Sequence, residues 1–311
     1  MRSAFFYAMV YDMTQMKIHQ RLILGAFVLS MTLFPAKALP QCLQPLETGY
    51  INWTTGLVTA TGHAAPEINA EGKAMSMPGS ARACAIRNLI AVLKQMKISG
   101  DLTVGEYAST HDAILAGIEK IAQDARIRRQ LYTSALDVEV QVEAPFYGGF
   151  LQLVLPDHIR QISKISSELK QGPAEPVKNI PSAAVGARPY TGLIVDARTL
   201  NLEPVLYPTI VSEQGREIYS SVFVSREFAV QNGVCAYLCD MDQAFASDRA
   251  GLNPLVVKAL RKTGDRAGAI VMSMADAKTL DRATERHTFL KECRVIVVMK
   301  QPVQKKVRPA Q

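Results

Sequence analysis

The chain has 311 residues, of which 48% are hydrophobic and 20% charged, and its formal net charge at pH 7 is +7. This length suffices for one large domain or two ordinary domains, and the composition is that of a folded globular protein. It excludes a collagen, a wholly disordered chain, a membrane protein with many spans and a small disulfide-rich protein.

The first 38 residues have the pattern of a secretory signal peptide. Lys17 and Arg21 precede an apolar run at 22–34, and Ala36-Lys37-Ala38 follows as an A-x-A cleavage site. The run is shorter than the ~20 residues that a membrane-spanning helix needs. We therefore predict cleavage after Ala38 and export to the periplasm. A buried helix and an uncleaved anchor are the alternatives.

Export permits disulfides, and five cysteines leave at least one outside any internal pair. They are Cys42, Cys84, Cys235, Cys239 and Cys293. The spacing from Cys235 to Cys239 could just be bridged on a helix, whereas on a strand it spans ~13 Å and could not. The pairing therefore stays open. Cys42 follows the cleavage site closely and is a candidate for lipidation, although Gln41 before it is not the small residue that bacterial lipidation requires.

Residues 43–160 are predicted to form a first domain of α+β type. Glycines punctuate β-type residues at 50–62, which indicates a hairpin or a bent strand. Two helices with apolar stripes follow, one capped by Ser80 and one by Thr110. Apolar and polar residues then alternate along 136–142, which indicates a strand with one dry face and one wet face. This order predicts a sheet covered by helices.

A second domain is predicted at 191–300, after a proline-rich linker at 166–190. Its central strands are indicated by short runs that are apolar on both faces, at 192–195, 269–272 and 295–299. A hairpin is predicted around Gly215. Asn253 as cap and Pro254 as first residue predict a helix that ends near Lys262.

The sequence thus predicts an α+β fold of two domains, an N-terminal domain of sheet plus helices and a C-terminal α/β domain around a mixed sheet. A basic tail occupies 301–311, and most of the excess positive charge of the predicted mature chain lies in this tail. We interpret the tail as a frayed terminus that touches anionic surfaces only weakly. Export makes nucleic acid an improbable partner.

The sequence motifs of common enzymes are missing. We find no G-x-S-x-G, no H-E-x-x-H, no phosphate-binding G-x-x-x-x-G-K-[ST] and no G-x-G-x-x-G after a strand. The histidines after the signal segment are scattered without the spacing of metal ligands. We therefore predict that the protein is not an enzyme and uses neither a cofactor nor a metal.

Three residues are candidates for ligand binding. Asp196 and Arg198 follow a predicted buried strand, where polar groups often line a crevice. Asn253 would begin a helix near them, where backbone N–H groups attract anions. The alternative at 196–198 is a turn with a surface ion pair. Trp53, the single tryptophan, is a candidate for a protein interface, with core packing against the helix at 86–96 as its alternative.

The order of three segments resembles a known family. The segments are Trp53…Gly56…Ala60-Thr61-Gly62, the helix Ala81-Arg82-Ala83-Cys84-Ala85-Ile86-Arg87-Asn88-Leu89-Ile90, and the alternating strand at 136–142. This order resembles the N-terminal domain of the flagellar assembly protein T family and is similar to the related small envelope lipoproteins of Gram-negative bacteria. The resemblance covers residues 49–142. It implies a small-residue helix packed on a sheet and a scaffolding role without catalysis.

Two functions compete on these grounds. The leading hypothesis is a non-enzymatic periplasmic protein that binds other envelope proteins through its sheet edges, with the flagellar basal body and the outer membrane as candidate locations. The alternative is a periplasmic domain that binds or converts a small ligand at Asp196, Arg198 and Asn253.

Overall fold

A computed structural model describes residues 40–155, 189–263, 269–284 and 288–301. The predicted signal peptide, nearly all of the predicted linker and the basic tail beyond residue 301 lie outside the described residues. Over those described ranges, no helix combines the length and the hydropathy needed to cross a membrane. They form an α+β structure of two domains, each built around its own main sheet.

A five-stranded antiparallel sheet organises the N-terminal domain. In chain order the strands of this domain are β1 (Leu43–Pro45), β2 (Gly49–Asn52), β3 (Leu57–Ala64), β4 (Glu67–Ile68), β5 (Ala74–Met75), β6 (Lys97–Ser99), β7 (Leu102–Thr103), β8 (Arg126–Tyr132) and β9 (Val138–Pro145). The main sheet has the order β1-β2-β3-β9-β8, and β4–β5 and β6–β7 are separate two-stranded ribbons. The predicted hairpin at 50–62 is confirmed as β2 and β3.

Helices cover one face of this sheet. They are α1 (Pro78–Gln95), α2 (Val104–Ala108), α3 (Asp112–Gln123) and α4 (Gly149–Val154). Both long predicted helices are confirmed, but their first residues are not the predicted ones. The first helix begins at Pro78, because proline suits the first turn, so Ser80 lies inside it. The other is preceded by His111 rather than capped by Thr110.

Helix α1 lies directly on β3, and Gly62 is the point of closest approach. A Cβ atom at Gly62 would stand 2.1 Å from the backbone nitrogen of Ala85 and 2.4 Å from the carbonyl oxygen of Ala81. Only glycine leaves room for this crossing. The alanines are fully buried, so the small residues on both elements let the helix backbone settle against the sheet.

The alternating strand is confirmed as β9, in which Val138, Val140 and Val142 are buried. The strand begins two residues later than predicted. Leu136 lies in the preceding turn with φ +68°, and its N–H donates to the carbonyl oxygen of Thr133. That turn joins β9 to β8, a strand that the sequence analysis did not predict because three of its seven residues are arginines.

A seven-stranded mixed sheet organises the C-terminal domain. Its strands are β10 (Gly192–Asp196), β11 (Thr209–Ser212), β12 (Glu217–Tyr219), β13 (Ala236–Leu238), β14 (Pro254–Lys262), β15 (Ala269–Met272) and β16 (Val295–Val298), in the order β12-β11-β15-β14-β10-β16-β13. Its helices are α5 (Arg226–Asn232), α6 (Met241–Ala246) and α7 (Met274–Thr284). The three predicted central strands and the hairpin around Gly215 are confirmed.

The helix predicted from Asn253 to Lys262 is wrong, because this segment is strand β14. Leu255, Val257 and Ala259 are buried while the residues between them are exposed, which is the period of a strand. The Asn-Pro pair resembled a helix start, but the alternation of burial and the parallel pairing with β10 decide the conformation.

The two domains share one continuous apolar core. Trp53 lies at their junction, with its ring 5.3 Å from that of Phe146 and 5.4 Å from that of Tyr237 in the C-terminal domain. A disulfide joins Cys42 to Cys239 across the same junction, with the two Cα atoms 5.5 Å apart. The described residues from Pro40 onward therefore form one compact unit.

Candidate functional site

The predicted ligand-binding residues do not form one site. Asp196 ends β10, and Asn253 precedes β14, its parallel neighbour. Because Asp196 is paired with Lys258, Asn253 lies five residues away at the opposite end of the strands, at ~16 Å. The absence of a helix at Pro254 also removes the expected anion-attracting N–H groups.

Asp196 and Arg198 form a local ion pair. The Nε and Nη2 atoms of Arg198 donate to the two carboxylate oxygens of Asp196 at 2.9 and 2.7 Å. This hydrogen bonding holds the pKa of Asp196 below its ordinary value. The pair is the turn with a surface ion pair that the sequence left as the alternative.

The structure also shows the surroundings of the interface candidate Trp53 and of the lipidation candidate Cys42. Trp53 is only 2% exposed, so it is not an anchor for an external partner but a packing residue between the domains. It contacts Phe146 and Tyr237, and its indole N–H donates to Gln44 at 2.8 Å. Cys42 is fully buried, and its sulfur is bonded to Cys239, so this sulfur has no free valence for a lipid.

The uncovered face of the N-terminal sheet carries a row of polar side chains. Tyr50, Thr59, Glu143 and Arg126 lie side by side on β2, β3, β9 and β8, each paired with the next across the strands. On β2, β3 and β9 the neighbouring residues Ile51, Val58 and Val142 are buried on the opposite side, because successive strand residues face opposite sides of a sheet. A single polar row therefore crosses four strands.

Glu143 is the centre of this row and is only 5% exposed. The Nε atom of Arg126 donates to its Oε1 atom at 2.6 Å, and the Nη2 atom of Arg126 donates to the same oxygen. The Nε atom of Arg128 lies 3.8 Å from the other carboxylate oxygen. Arg128 also donates to the hydroxyl of Tyr50. One carboxylate thus faces two guanidinium groups, which leaves a net charge of +1.

Thr59 lies between Tyr50 and Glu143, the two residues that Arg128 contacts. Its hydroxyl is buried and has no hydrogen-bond partner among the described residues. A buried hydroxyl without a partner costs free energy, and in native proteins such groups are uncommon. The row therefore contains a polar group that the described residues leave unpaired.

The row lines a groove. Its polar part has a volume of about 650 Å³ and is also lined by Gln41, Asn52 and Thr55. Beyond Arg126 and Glu143 the groove continues as a more apolar depression of about 450 Å³. Ile121, Ala125 and Phe150 line that part. Strand β8 forms the rim, so the groove runs beside an open sheet edge.

Outside the groove, a reactive cysteine or a cluster of metal ligands would indicate a catalytic site among the described residues. Burial raises the pKa of the Cys235 thiol to about 12, so this sulfur stays protonated and is a poor nucleophile. Within the part of the chain that the structure describes, no three His, Cys, Asp or Glu side chains are grouped to hold a metal ion. The groove is therefore the best candidate for a functional site.

The sequence analysis did not find this site. It predicted a wet face on the strand at 136–142, but it did not place Arg126 opposite Glu143 at the end of that strand. The available signal was charge complementarity, since the basic run 126–129 and the acidic positions at 139 and 143 flank one turn, as expected for the two strands of a hairpin.

The comparisons with known proteins concern the C-terminal domain. Residues 192–301 match the family model of the second domain of Treponema pallidum Tp0624. The match covers about a third of the chain and does not include the groove. No curated protein matches the chain.

Proposed function

We propose that the mature chain is a non-enzymatic periplasmic envelope protein that binds an extended segment of another envelope protein along strand β8. One observation carries the proposal: β8 is an edge of the main sheet, and all seven of its residues are exposed. An open edge strand offers backbone N–H and C=O groups that can accept a further strand from a partner.

Strand β8 also has features that disfavour pairing with a second copy of itself. Its register with β9 shifts between Ile127 and Arg129, and such a bulge twists an edge strand. Arg126, Arg128 and Arg129 would repel the same residues of another copy. The proposal therefore commits to a different protein as the partner.

The groove supports binding rather than chemical conversion. Glu143, its central carboxylate, is held by Arg126 and lies close to Arg128, so it is not poised as a free base. Binding along an edge with a groove beside it is a known mode of peptide recognition.

Photocrosslinking in the native host tests the proposal. A photoreactive amino acid is placed at Arg129 on β8, and the matched control carries it at Phe245, which is 50% exposed on α6 of the other domain. We expect an adduct with a distinct envelope protein from position 129 only. The charge reversal R128E should remove the adduct, while R82E on the exposed side of α1 should not.

Two results would contradict edge binding. One is the absence of an adduct from position 129 in cells in which the variant folds and is exported. The other is the same set of adducts from positions 129 and 245, which would indicate non-specific collisions.

The resemblance of residues 49–142 supports placing the partner in the flagellar basal body. A C-terminally tagged full chain should then be enriched with basal bodies isolated in detergent, and its deletion should impair motility. Release of the tagged chain with the free periplasmic pool, together with normal motility of the deletion strain, would rule out this location and leave the envelope partner elsewhere.

A further inference from the structure

We infer that the groove recognises carboxylates, so that the segment added to β8 is acidic at alternate positions. This inference rests on the proposed function and names the chemistry of its partner. It goes beyond edge binding, which uses the backbone and by itself selects no side chain.

The first argument is charge. The side chains of Arg126 and Arg128 are 72% and 50% exposed, whereas that of Glu143 is 6% exposed. The buried carboxylate compensates one guanidinium, and both guanidinium groups keep N–H donors that bond to no residue of the described chain. Arginine presents its donors as a planar fork that matches a carboxylate.

The second argument is the register of β8. On the face of the sheet that carries Glu143, Arg126 stands opposite Glu143, Arg129 opposite Gln141 and Leu131 opposite Glu139. An added strand presents every second side chain to this face. The matching pattern is therefore an acidic residue facing Arg126, an acidic residue facing Arg129 and an apolar residue facing Leu131.

Fluorescence anisotropy with the mature chain tests the inference. The probe is a labelled nine-residue peptide of valine and threonine with glutamate at two alternate positions and leucine at the next. The control peptide has glutamine in place of both glutamates. We expect the glutamine peptide to bind at least about tenfold more weakly at low ionic strength, because hydrogen bonds to charged groups are the stronger ones.

Variants of the groove separate recognition from folding. Replacing Arg126 alone would leave the buried carboxylate of Glu143 without its main ion-pair partner. The double variant R126Q/E143Q therefore removes both charges together. It should reduce the affinity for the glutamate peptide about tenfold and leave that for the glutamine peptide unchanged. R82Q on α1 should change neither affinity. Circular dichroism checks that each variant is folded.

The outcomes distinguish the two proposals. If neither peptide binds, edge binding itself is contradicted. If both peptides bind equally well, edge binding stands and carboxylate recognition is overturned. If an acidic oligosaccharide such as oligogalacturonate binds in the groove and the peptides do not, the ligand is a glycan and the inference is likewise overturned.

Discussion

Replacing Cys42 and Cys239 together by alanine removes the disulfide between the domains, and we expect a large loss of stability. The two cysteines are 197 residues apart, so the bond closes a very long loop in the unfolded chain. The chain-entropy relation gives about 5 kcal/mol for such a loop at 25 °C. The Cα atoms are 5.5 Å apart, an ordinary native separation, so we expect most of this amount to be realised.

Urea unfolding followed by tryptophan fluorescence measures this loss. Trp53 is the single tryptophan and contacts Tyr237, two residues from Cys239, so its emission reports on the junction that the disulfide holds. The double variant should unfold at a much lower urea concentration than the wild type. Cys84→Ala, which removes a half-buried free thiol, is the matched control and should shift the midpoint little.

The single variants sharpen the test. Cys42→Ala and Cys239→Ala should each destabilise as much as the double variant, because losing either sulfur breaks the same bond. Equal stability of the double variant and the wild type would refute the argument. So would additive losses from the two single variants, or a non-reduced peptide map in which Cys42 is not linked to Cys239.

Three further predictions concern single residues. T59V should raise the free energy of unfolding by ~1 kcal/mol in urea titration, because it removes a buried hydroxyl without a partner, and a loss of stability would contradict this reasoning. Gly62→Ala should lower it by ~3 kcal/mol, since the new Cβ meets helix backbone, and an unchanged midpoint would mean that α1 does not lie there. R198A should leave the urea midpoint nearly unchanged, because its ion pair with Asp196 is at the surface, and a large shift would contradict this assignment.

The pH dependence of stability follows from a buried thiol. Cys235 has a pKa raised by burial to about 12 from an ordinary 9.0, so the folded state holds its proton after the unfolded chain has lost it. The free energy of unfolding should therefore fall as the pH rises from 9 towards 12. C235A should flatten this fall in urea titrations at several pH values, and an unchanged slope would contradict the assignment.

Several elements could be read from neighbouring residues alone. The alternation along 136–142 predicted β9, and continuous apolar runs predicted β10, β15 and β16, because these patterns reflect burial on one face or on both. The strand at 254–262 was missed because its Asn-Pro start suggested a helix and because the exposed positions Val256 and Leu260 are apolar, which hides the alternation of burial. The basic strand β8 was missed because its residues are exposed on both faces and show no apolar period.

The candidate site was less accessible to sequence reasoning. Asp196 and Arg198 were correctly placed at a strand end, but the pairing of β10 with β14 puts Asn253 at the other end. Trp53 was a candidate for an interface with core packing as its alternative; it is a packing residue, and its aromatic partners are Phe146 and Tyr237. These partners are distant in sequence, and no local pattern names them.

The sequence by itself determined the α+β class, the two-domain order, about half of the strands and the two long helices of the N-terminal domain, since periodicity and turn residues act between near neighbours. Only the tertiary structure decided which cysteine pairs with Cys42 and which side chains meet in the groove. Tyr50, Thr59, Arg126 and Glu143 form one row only because three strand registers bring them together. Register is set by the burial of the opposite sheet face, which is a property of the whole core and not of any single segment.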